Sequence, residues 1–329
     1  MRLVTIGGDT PSPRRVSALS LGAMRFGSTT DEATSFAILD RYVAAGGNFI
    51  DTSNNYAFWT DDSRGGHSEE LLGRWRASRG ITDEVVIATK LGARPTRTGV
   101  DFASRMAYDE GLSAAAIRAA SAESRARLGV DRIDLLYAHV EDPRVPVEET
   151  VEAFGALVTE GSVGLLGVSN HRAWRVERAR RHARALGVAG YEVLQYHRSL
   201  LAHRVDAAGP RSAFGDPGVP TPDLLDYMST EPGLVMVAYS PLLSGGYVRP
   251  DRAPGQDYAQ PGNAARLATL HEVSLQTGAT PNQVVLAWLM GGPLPTIPLV
   301  GASSVAQLDE SLEAVEVELT AEQRARLDG

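Results

Sequence analysis

The sequence has 329 residues, of which 43% are apolar and 22% are charged, so it can bury a large core and lacks the composition of a disordered chain. It contains no cysteine, which excludes a disulfide framework, a cysteine zinc site and a thiolate nucleophile. The formal net charge of −8 argues against a nucleic-acid partner, because such proteins concentrate positive charge against the phosphates.

The amino terminus lacks the long apolar stretch of a secretory signal, and no apolar run is long enough to cross a bilayer. We therefore expect a cytoplasmic protein with no membrane partner. The arginine-rich stretch 172–184 places its charges mostly on the polar side of a helical pattern, which indicates a solvated helix face.

From about residue 17 onward, short apolar runs alternate with longer amphipathic patterns, the order typical of βα units in a parallel sheet. The candidate strands are 17–21, 49–51, 85–90, 135–139, 163–169, 193–195, 235–239 and 297–300. Eight strands with helices between them predict a closed (β/α)8 TIM barrel. No repeat or linker divides the chain, so we expect residues 1–329 to form a single domain.

Local signals mark the ends of these elements. Asp31 and Pro146 precede helical patterns, Thr280 is followed by a proline, and Thr320 with Gln323 fits a capping box. At the start of the chain, residues 3–6 followed by two glycines predict a short N-terminal β-hairpin at the lower end of the barrel. The long loops 57–66, 92–111 and 198–220 each follow a strand, so we expect them on the C-terminal face, where barrel enzymes build their sites.

Polar residues occupy the ends of three successive candidate strands. Asp51 ends the second strand with Tyr56 just beyond it, Lys90 ends the third, and His139 ends the fourth. Because the carboxyl ends of parallel barrel strands share one face, these four side chains should meet at one mouth. Taken singly, each residue has a structural alternative. Asp51 would be a helix cap or a surface carboxylate, and Tyr56 a loop aromatic. Lys90 would face solvent, and His139 would be a core histidine with its hydrogen bonds satisfied.

This set suits the reduction of a carbonyl, which needs a proton at oxygen while hydride reaches carbon. A free tyrosine has a pKa of about 10, and a lysine ammonium beside the phenol lowers it. Asp51 would hold Lys90 in position, and His139 would hydrogen-bond to the substrate oxygen. Dinucleotide, P-loop, zinc-protease and serine-hydrolase motifs do not occur, and we expect no metal.

The stretch GNFIDTSNNY at 47–56 resembles the segment of the aldo-keto reductase family that carries its catalytic aspartate and tyrosine. Further segments resemble the family in the same order: ATK at 88–90, DLLYAH at 134–139, GVSN at 167–170, AYSPL at 238–242 and PLVGASS at 298–304. The resemblance spans nearly the whole chain. It implies reduction of an aldehyde or ketone, including sugar-like ones, by hydride transfer from NADPH, with Asp51, Tyr56, Lys90 and His139 as the catalytic residues.

The resemblance also implies a cofactor site. Tyr239 would stack on the nicotinamide, Ser169, Asn170 and Gln195 would bind its carboxamide, the loop from Ser240 would hold the pyrophosphate, and the helix after Gly301 would receive a phosphate. The expected cofactor-binding residues are Gly22, Met24, Asp51, Ser169, Asn170, Gln195, Tyr239, Ser240, Leu242, Ser244, Gly245, Gly301, Ser303, Gln307 and Glu310. Asn170 has an alternative as the N-cap of a helix beginning near His171.

One departure from the family pattern concerns the choice of cofactor. Relatives selective for NADPH often place lysine or arginine where this chain has Gly301, Ser303 and Gln307, so the 2′-phosphate would lose charge-assisted hydrogen bonds. NADPH is the expected cofactor, and NADH stays open.

An insertion after Tyr56 places Phe58 and Trp59 where they would wall the substrate pocket, although local packing of Trp59 in a surface loop is an alternative. Phe102, Tyr108 and Phe214 are further wall candidates from the other long loops. The partner is then a small-molecule carbonyl substrate, and a monomer and a homo-oligomer are both compatible with the sequence.

Two other functions stay open from the sequence. One is a cofactor-binding regulatory subunit with little turnover, like the channel β-subunits that resemble this family. The other is a barrel hydrolase or isomerase that uses Asp51 and His139 as acid and base.

Overall fold

Parallel strands form a closed eight-stranded barrel in the computed structural model, which describes residues 1–60, 62–101, 107–204 and 218–329. The barrel strands are β3 (Ser20–Gly22), β4 (Phe49–Asp51), β5 (Val86–Leu91), β6 (Ile133–Ala138), β7 (Val163–Ser169), β8 (Tyr191–His197), β9 (Val235–Tyr239) and β10 (Thr296–Gly301). They follow chain order around the barrel, and β10 pairs with β3 to close it. The predicted TIM barrel is confirmed.

Helices lie on the outside of the barrel, and all but the last two connect successive strands. Within the described residues they are α1 (Glu32–Ala44), α2 (His67–Arg79), α3 (Ala114–Leu128), α4 (Val147–Thr159), α5 (Ala173–Leu186), α6 (Pro222–Thr230), α7 (Pro261–Thr277), α8 (Pro281–Met290), α9 (Val305–Glu313) and α10 (Ala321–Asp328). None of these helices combines the length and the apolar character that crossing a bilayer would require.

The helix starts follow the capping signals in the sequence. The Asp31 side chain accepts a hydrogen bond of 2.9 Å from the backbone N–H of Thr34, in the first turn of α1. Thr280 and Thr320 both form complete capping boxes, the latter with Gln323. Because each cap satisfies backbone donors that the first helical turn leaves unpaired, these residues set where α1, α8 and α10 begin.

A β-hairpin precedes the barrel, as predicted. It consists of β1 (Leu3–Ile6) and β2 (Arg14–Ser17), which pair antiparallel. Ile6 and Val16 are fully buried in the same apolar cluster as Phe49, the first residue of β4. The hairpin therefore covers the N-terminal end of the barrel and leaves the opposite end to the site.

The predicted strand 17–21 was wrong in its boundaries. Ser17 belongs to the hairpin, where it pairs with Leu3, and the first barrel strand starts at Ser20. The chain turns between the two strands, and the hydroxyl of Ser17 donates to the carbonyl of Leu19 at 2.9 Å. A continuous apolar pattern hid this turn, because both the hairpin and the barrel bury their side chains here.

Smaller boundary differences affect the site. β5 continues one residue beyond Lys90, and β6 ends at Ala138, so His139 begins the loop rather than ending the strand. β8 runs from Tyr191 to His197 and is longer than the predicted 193–195.

Candidate active site

The four residues predicted to form the catalytic set lie at the C-terminal mouth of the barrel. Asp51 is the last residue of β4, Lys90 is one residue from the end of β5, and His139 directly follows β6. Tyr56 lies in the loop after β4. Adjacent pairing of β4 with β5 and of β5 with β6 brings these strand ends side by side.

Lys90 is the centre of the group. Its ammonium donates hydrogen bonds to a carboxylate oxygen of Asp51, to the backbone carbonyl of Thr52 at 2.7 Å and to the phenolic oxygen of Tyr56 at 3.0 Å. All three N–H donors are therefore used. Lys90 and Asp51 are both almost fully buried, so the ion pair is shielded from solvent.

The charges in this pair depend on each other. Burial acts against the charged form of Lys90, but attraction to Asp51 and Tyr56 outweighs it, so the pKa of Lys90 is raised above its usual value. Burial raises the pKa of Asp51, while the Lys90 charge and the hydrogen bonds from Lys90 and Gln195 act in the opposite direction. A charged ammonium is thus fixed next to the Tyr56 phenol at neutral pH.

Gln195 reaches this pair from the far side of the barrel. Its side-chain amide donates a hydrogen bond of 2.7 Å to the second carboxylate oxygen of Asp51. The sequence suggested only a contact with the cofactor for Gln195. The residue lines the cleft as expected, but its amide nitrogen is directed to Asp51.

His139 lies next to Tyr56, with 6.3 Å between the ring centroids and an edge-to-face orientation. Its Nδ1 lies 3.1 Å from the hydroxyl oxygen of Ser53. Its backbone carbonyl accepts a hydrogen bond of 2.9 Å from the side chain of Asn170. These contacts fix both the ring and the backbone of His139 at the mouth.

Asn170 belongs to a polar network rather than to a helix cap. It lies in the left-handed region with a φ of 57°, and its amide nitrogen also donates to the hydroxyl of Ser169 at 2.9 Å. The phenol of Tyr239 donates to its amide oxygen at 2.9 Å. The alternative prediction that Asn170 caps a helix near His171 was wrong, because α5 begins later, with Arg172 at its N-cap.

A cleft of about 620 Å³ opens above this mouth. The residues predicted for cofactor or substrate that line it are Gly22, Met24, Asp51, Tyr56, Phe58, Trp59, His139, Ser169, Asn170, Gln195, Tyr239, Ser240, Leu242, Ser244, Gly245, Gly301, Ser303, Gln307 and Glu310. Lys90 lies beneath the cleft floor, in contact with Tyr56. The rings of Phe58 and Trp59 pack edge to face 5.3 Å apart beside Tyr56.

The other wall candidates have different outcomes. Tyr108 does not line the cleft, and the guanidinium of Arg97 lies 3.7 Å from the centre of its ring. A cation over the ring face is a sufficient structural reason for an aromatic residue at this loop position. Phe102 and Phe214 lie outside the described residues.

The segment after β9 forms a tight turn along one side of the cleft. Ser240, Leu243 and Ser244 have φ values of 52°, 50° and 55°, and Gly245 follows at 94°. Left-handed conformations at non-glycine residues cost on the order of 1 kcal/mol or more each, so the surrounding structure holds this turn in place. Within this turn the backbone N–H of Leu243 donates to the carbonyl of Ser240, and those of Gly245 and Gly246 donate to the carbonyl of Leu242.

At the other side of the cleft, α9 begins after Ser304, whose side chain accepts from the backbone N–H of Gln307. The side chain of Gln307 accepts from the backbone N–H and the hydroxyl of Ser303, both at 2.9 Å. Glu310 accepts from Thr280 at 2.8 Å. The side chains of Ser304 and Gln307 therefore already bind two of the backbone N–H groups at the helix end that was expected to receive a phosphate.

Sequence reasoning missed several cleft residues. They are Arg25, Asn55, Pro241, Val248, Arg249, Arg252, Asn282, Leu299, Val300, Ala302 and Ser311. Some were within reach of the sequence signals, since Arg25 follows Met24 and Ala302 lies inside the matching segment 298–304. Asn282 had no such signal, because α8 reaches the cleft only through tertiary packing.

Residues 18–329 match the model of the Aldo/keto reductase family. The uncharacterized oxidoreductase YrpG of Bacillus subtilis is 33% identical over 317 residues, which cover 94% of this chain and 90% of that protein. Norsolorinic acid reductase stcV of Emericella nidulans is 32% identical over 321 residues, which cover 94% of this chain and 76% of that protein.

A solved structure of a thermostable aldo-keto reductase in complex with the inhibitor epalrestat has the same fold. Its TM-score is 0.74 at 24% sequence identity, with 100% of this chain and 99% of that chain covered.

The barrel and the matching relatives define an oxidoreductase of the (β/α)8 class. The chain belongs to the aldo/keto reductase family, whose members are NAD(P)H-dependent oxidoreductases that act on small-molecule carbonyl compounds.

Proposed function

We propose that this enzyme reduces an aldehyde or a ketone to an alcohol with NADPH, that it also accepts NADH, and that Tyr56 is the general acid. The contact that carries the proposal is the 3.0 Å hydrogen bond from Lys90 to the phenolic oxygen of Tyr56. A phenol beside a fixed ammonium loses its proton more readily than a phenol in water. Tyr56 is therefore suited to proton donation near neutral pH.

The chain's own residues supply the proton and set the acidity of the group that donates it. When bound, the reduced nicotinamide supplies the hydride that the carbonyl carbon receives. Tyr56 gives its proton to the carbonyl oxygen, and Lys90 stabilises the phenolate until a proton from solvent restores the phenol. Asp51 holds the ammonium in place through the buried ion pair. The reaction thus consumes a carbonyl compound, a reduced cofactor and a proton, and it yields an alcohol and the oxidised cofactor.

The substrate would lie between Tyr56, His139 and the apolar side formed by Phe58 and Trp59. The first two rings are 6.3 Å apart, so one small molecule can contact both. The edge-to-face pair of Phe58 and Trp59 offers apolar surface beside the reacting group.

The residues along the cleft fit an elongated anionic cofactor. The cleft volume falls within the range of small-molecule sites. Arg25, Arg249 and Arg252 line it, and their positive charge supports binding of phosphate groups. The amide oxygen of Asn282 is buried at the cleft without a hydrogen-bond partner in the described part of the chain. This acceptor suits an amino group such as that of adenine.

The choice between NADPH and NADH depends on charges that the sequence pattern did not reveal. Arg249 and Arg252 supply positive charge that Gly301, Ser303 and Gln307 lack, which supports NADPH. The carboxylate of Glu310 lines the same cleft and can accept a hydrogen bond from a ribose hydroxyl, which supports use of NADH as well.

The proposal is tested by following NADPH and NADH oxidation with a panel of aldehydes and ketones, using the unmodified protein and Tyr56→Phe. We expect Tyr56→Phe to lower kcat by about 10²- to 10⁴-fold, because the general acid is lost. Its dissociation constant for the cofactor, measured by fluorescence titration, should stay nearly unchanged.

Tyr191→Phe is the matched control, because Tyr191 starts β8 at the opposite end of the barrel and should not affect kcat. A large loss of cofactor binding in Tyr56→Phe contradicts the assignment of Tyr56. Cofactor binding without turnover of any carbonyl in the unmodified protein supports a regulatory subunit instead, and turnover without nicotinamide supports a hydrolase or isomerase.

A further inference from the structure

Glu110 is a partly buried carboxyl group at the end of the long loop after β5. Within the described residues it is not among those that line the cleft. Its Oε1 accepts a hydrogen bond of 2.8 Å from the side-chain nitrogen of Asn54 and one of 2.7 Å from the backbone N–H of Gly92. One oxygen atom therefore holds two segments of the chain together.

These two segments carry Tyr56 and Lys90. Asn54 lies two residues before Tyr56, and Gly92 lies two residues after Lys90. The backbone N–H of Asn54 also donates to the carbonyl of Lys90 at 3.1 Å, which continues the pairing of β4 with β5. The bond between Asn54 and Glu110 is thus a cross-link next to the 3.0 Å hydrogen bond between Lys90 and Tyr56.

The loop that carries Glu110 is itself held at its base. The backbone N–H of Glu110 donates to the carbonyl of Arg94 at 2.9 Å, and that of Gly111 donates to the carbonyl of Gly92 at 3.2 Å. The two ends of the loop are therefore paired with each other. A side chain on such a base can fix a neighbouring segment, because its own backbone is already ordered.

Asn54 has no substitute for this contact. It is fully buried, and its bond to Glu110 is the only hydrogen bond of its side chain within the described residues. The amide oxygen has no partner in that part of the chain. Removal of the acceptor would leave a second buried polar atom of Asn54 unpaired, so the segment before Tyr56 would have to move to bring it to water.

The contact does not depend on the charge of Glu110. Burial raises the pKa of Glu110, and the hydrogen bonds from Asn54 and Gly92 act in the opposite direction. Both bonds end on the same oxygen, which is an acceptor in the carboxylate and can stay the carbonyl oxygen of the protonated acid. A glutamine at this position offers the same acceptor.

We propose that Glu110 is a positioning residue, which holds Tyr56 at hydrogen-bond distance from Lys90 by tying Asn54 to the segment after β5. Without this tie the ammonium would lie further from the phenol on average and would lower its pKa less. The effect of Glu110 on the rate rests on the proposed function of Tyr56, whereas its effect on the acidity of the phenol can be measured without turnover.

The acidity of the phenol is tested by carbon-13 NMR of protein labelled at the tyrosine Cζ and titrated with base. The Tyr56 signal is assigned by its loss in Tyr56→Phe. We expect Glu110→Ala to raise the pKa of Tyr56 toward the ordinary value of about 10, and Glu110→Gln to leave it close to that in the unmodified protein. The double variant Asn54→Ala/Glu110→Ala should match Glu110→Ala, because both remove the same bond.

The consequence for the reaction is tested with NADPH and the carbonyl compound of the panel that the unmodified protein turns over fastest. We expect Glu110→Ala to lower kcat by about 10- to 10²-fold with KM and the dissociation constant of NADPH nearly unchanged, because the reacting groups are misaligned and not lost. Glu110→Gln should restore most of kcat.

Asp134→Ala is the matched control. Asp134 is another partly buried carboxyl group that accepts from a backbone N–H of β5, that of Ile87 at 3.1 Å, but it lies toward the N-terminal end of the barrel. Its loss should lower the temperature of thermal unfolding without changing kcat or the pKa of Tyr56. If Glu110→Ala does not fold, Asn54→Ala removes the other partner of the same bond and takes its place.

The outcomes are distinguishable. An unchanged pKa of Tyr56 in Glu110→Ala overturns the proposal, and so does an equal shift in Glu110→Gln or in Asp134→Ala, because the acceptor at Glu110 would then not be the cause. No turnover of any carbonyl by the unmodified protein overturns the proposed reductase, while the NMR titration still decides whether Glu110 positions Tyr56.

Discussion

Tyr56 is chemically ordinary until its neighbours are considered. Its phenol accepts a hydrogen bond from Lys90, whose other two donors are held by Asp51 and the carbonyl of Thr52. Gln195 fixes the second oxygen of Asp51, so the carboxylate cannot rotate without losing a bond. The ammonium is therefore held in place before substrate binds. Under the proposed mechanism it does not have to reorient when negative charge develops on the Tyr56 oxygen.

This arrangement predicts the effect of Lys90→Met. Under the proposed mechanism reduction requires the protonated phenol of Tyr56, so the rate of the unmodified enzyme should fall as pH rises through the pKa of that phenol. Without the ammonium that alkaline limb should move to higher pH, toward the ordinary tyrosine value of about 10, and kcat near neutral pH should fall. The measurement is the pH profile of kcat.

Lys90→Met also leaves Asp51 buried without its cation, which is destabilising. The double variant Asp51→Asn/Lys90→Met removes that charge and serves as the control, with thermal unfolding as the check on folding. An alkaline limb at the same pH in the unmodified protein and both variants would contradict the tuning of Tyr56 by Lys90.

At the scale of elements, the site is built by the segments that follow the strands. The segment after β9 contributes the left-handed turn at 243–245 and two arginines of the cleft. Arg249 is already paired with Asp251, whereas Arg252 forms no ion pair within the described residues. We therefore expect Arg252 to contribute more than Arg249 to binding of the cofactor phosphates.

Arg252→Gln should weaken NADPH binding by about tenfold, because a charge-assisted hydrogen bond is lost, and should change NADH binding much less. The measurement is the pair of dissociation constants at fixed ionic strength. Arg326→Gln on α10 removes the same charge away from the cleft and is the control. Equal losses for both cofactors would place Arg252 at a phosphate that the two cofactors share.

At the scale of the whole molecule, stability and function use opposite ends of the barrel. Ile6 and Val16 of the hairpin pack into the interior cluster with Phe49, Leu135 and other barrel residues at the N-terminal end. The polar groups of the site lie at the C-terminal end. This separation is the general arrangement of (β/α)8 enzymes, and it lets the loops vary without loss of the core.

The pH dependence of global stability should report one buried residue near the site. Burial lowers the pKa of His171 from 6.5 to about 4, although its ring bonds to the carbonyl of Ser169. The unfolded chain binds this proton more readily than the folded one, so the contribution is fully present above about pH 6.5 and is lost as pH falls toward 4. The loss amounts to about 3 kcal/mol.

The measurement is the free energy of unfolding in urea at several pH values. Burial raises the pKa of Glu110 and of Asp134, and such groups stabilise the folded protein as pH falls, so His171 must be isolated by substitution. His171→Gln should flatten the decline between about pH 6.5 and 4, and His271→Gln, at an exposed position, should not. Equal slopes in all three proteins would contradict the prediction.

Much of the fold was predictable from local patterns. Apolar runs that alternate with capped helices predict the strands and helices of the barrel. Strand burial and helix capping depend on residues close in sequence, as at Asp31 and Thr320. The boundary between two adjoining buried strands leaves no such signal. For that reason the sequence pattern placed Ser17 in the first barrel strand, whereas it belongs to the hairpin.

Local sequence patterns were sufficient to predict the barrel and to place Asp51, Lys90 and His139 at or next to the ends of their strands, because parallel strands carry their ends to one face. The partner of each group depends on the folded chain. Gln195 reaches Asp51 from a strand 144 residues away, and the hydroxyl of Ser53 lies 3.1 Å from Nδ1 of His139, which is 86 residues further along the chain. Such contacts depend on closure of the barrel and on side-chain orientation, which no local sequence pattern encodes.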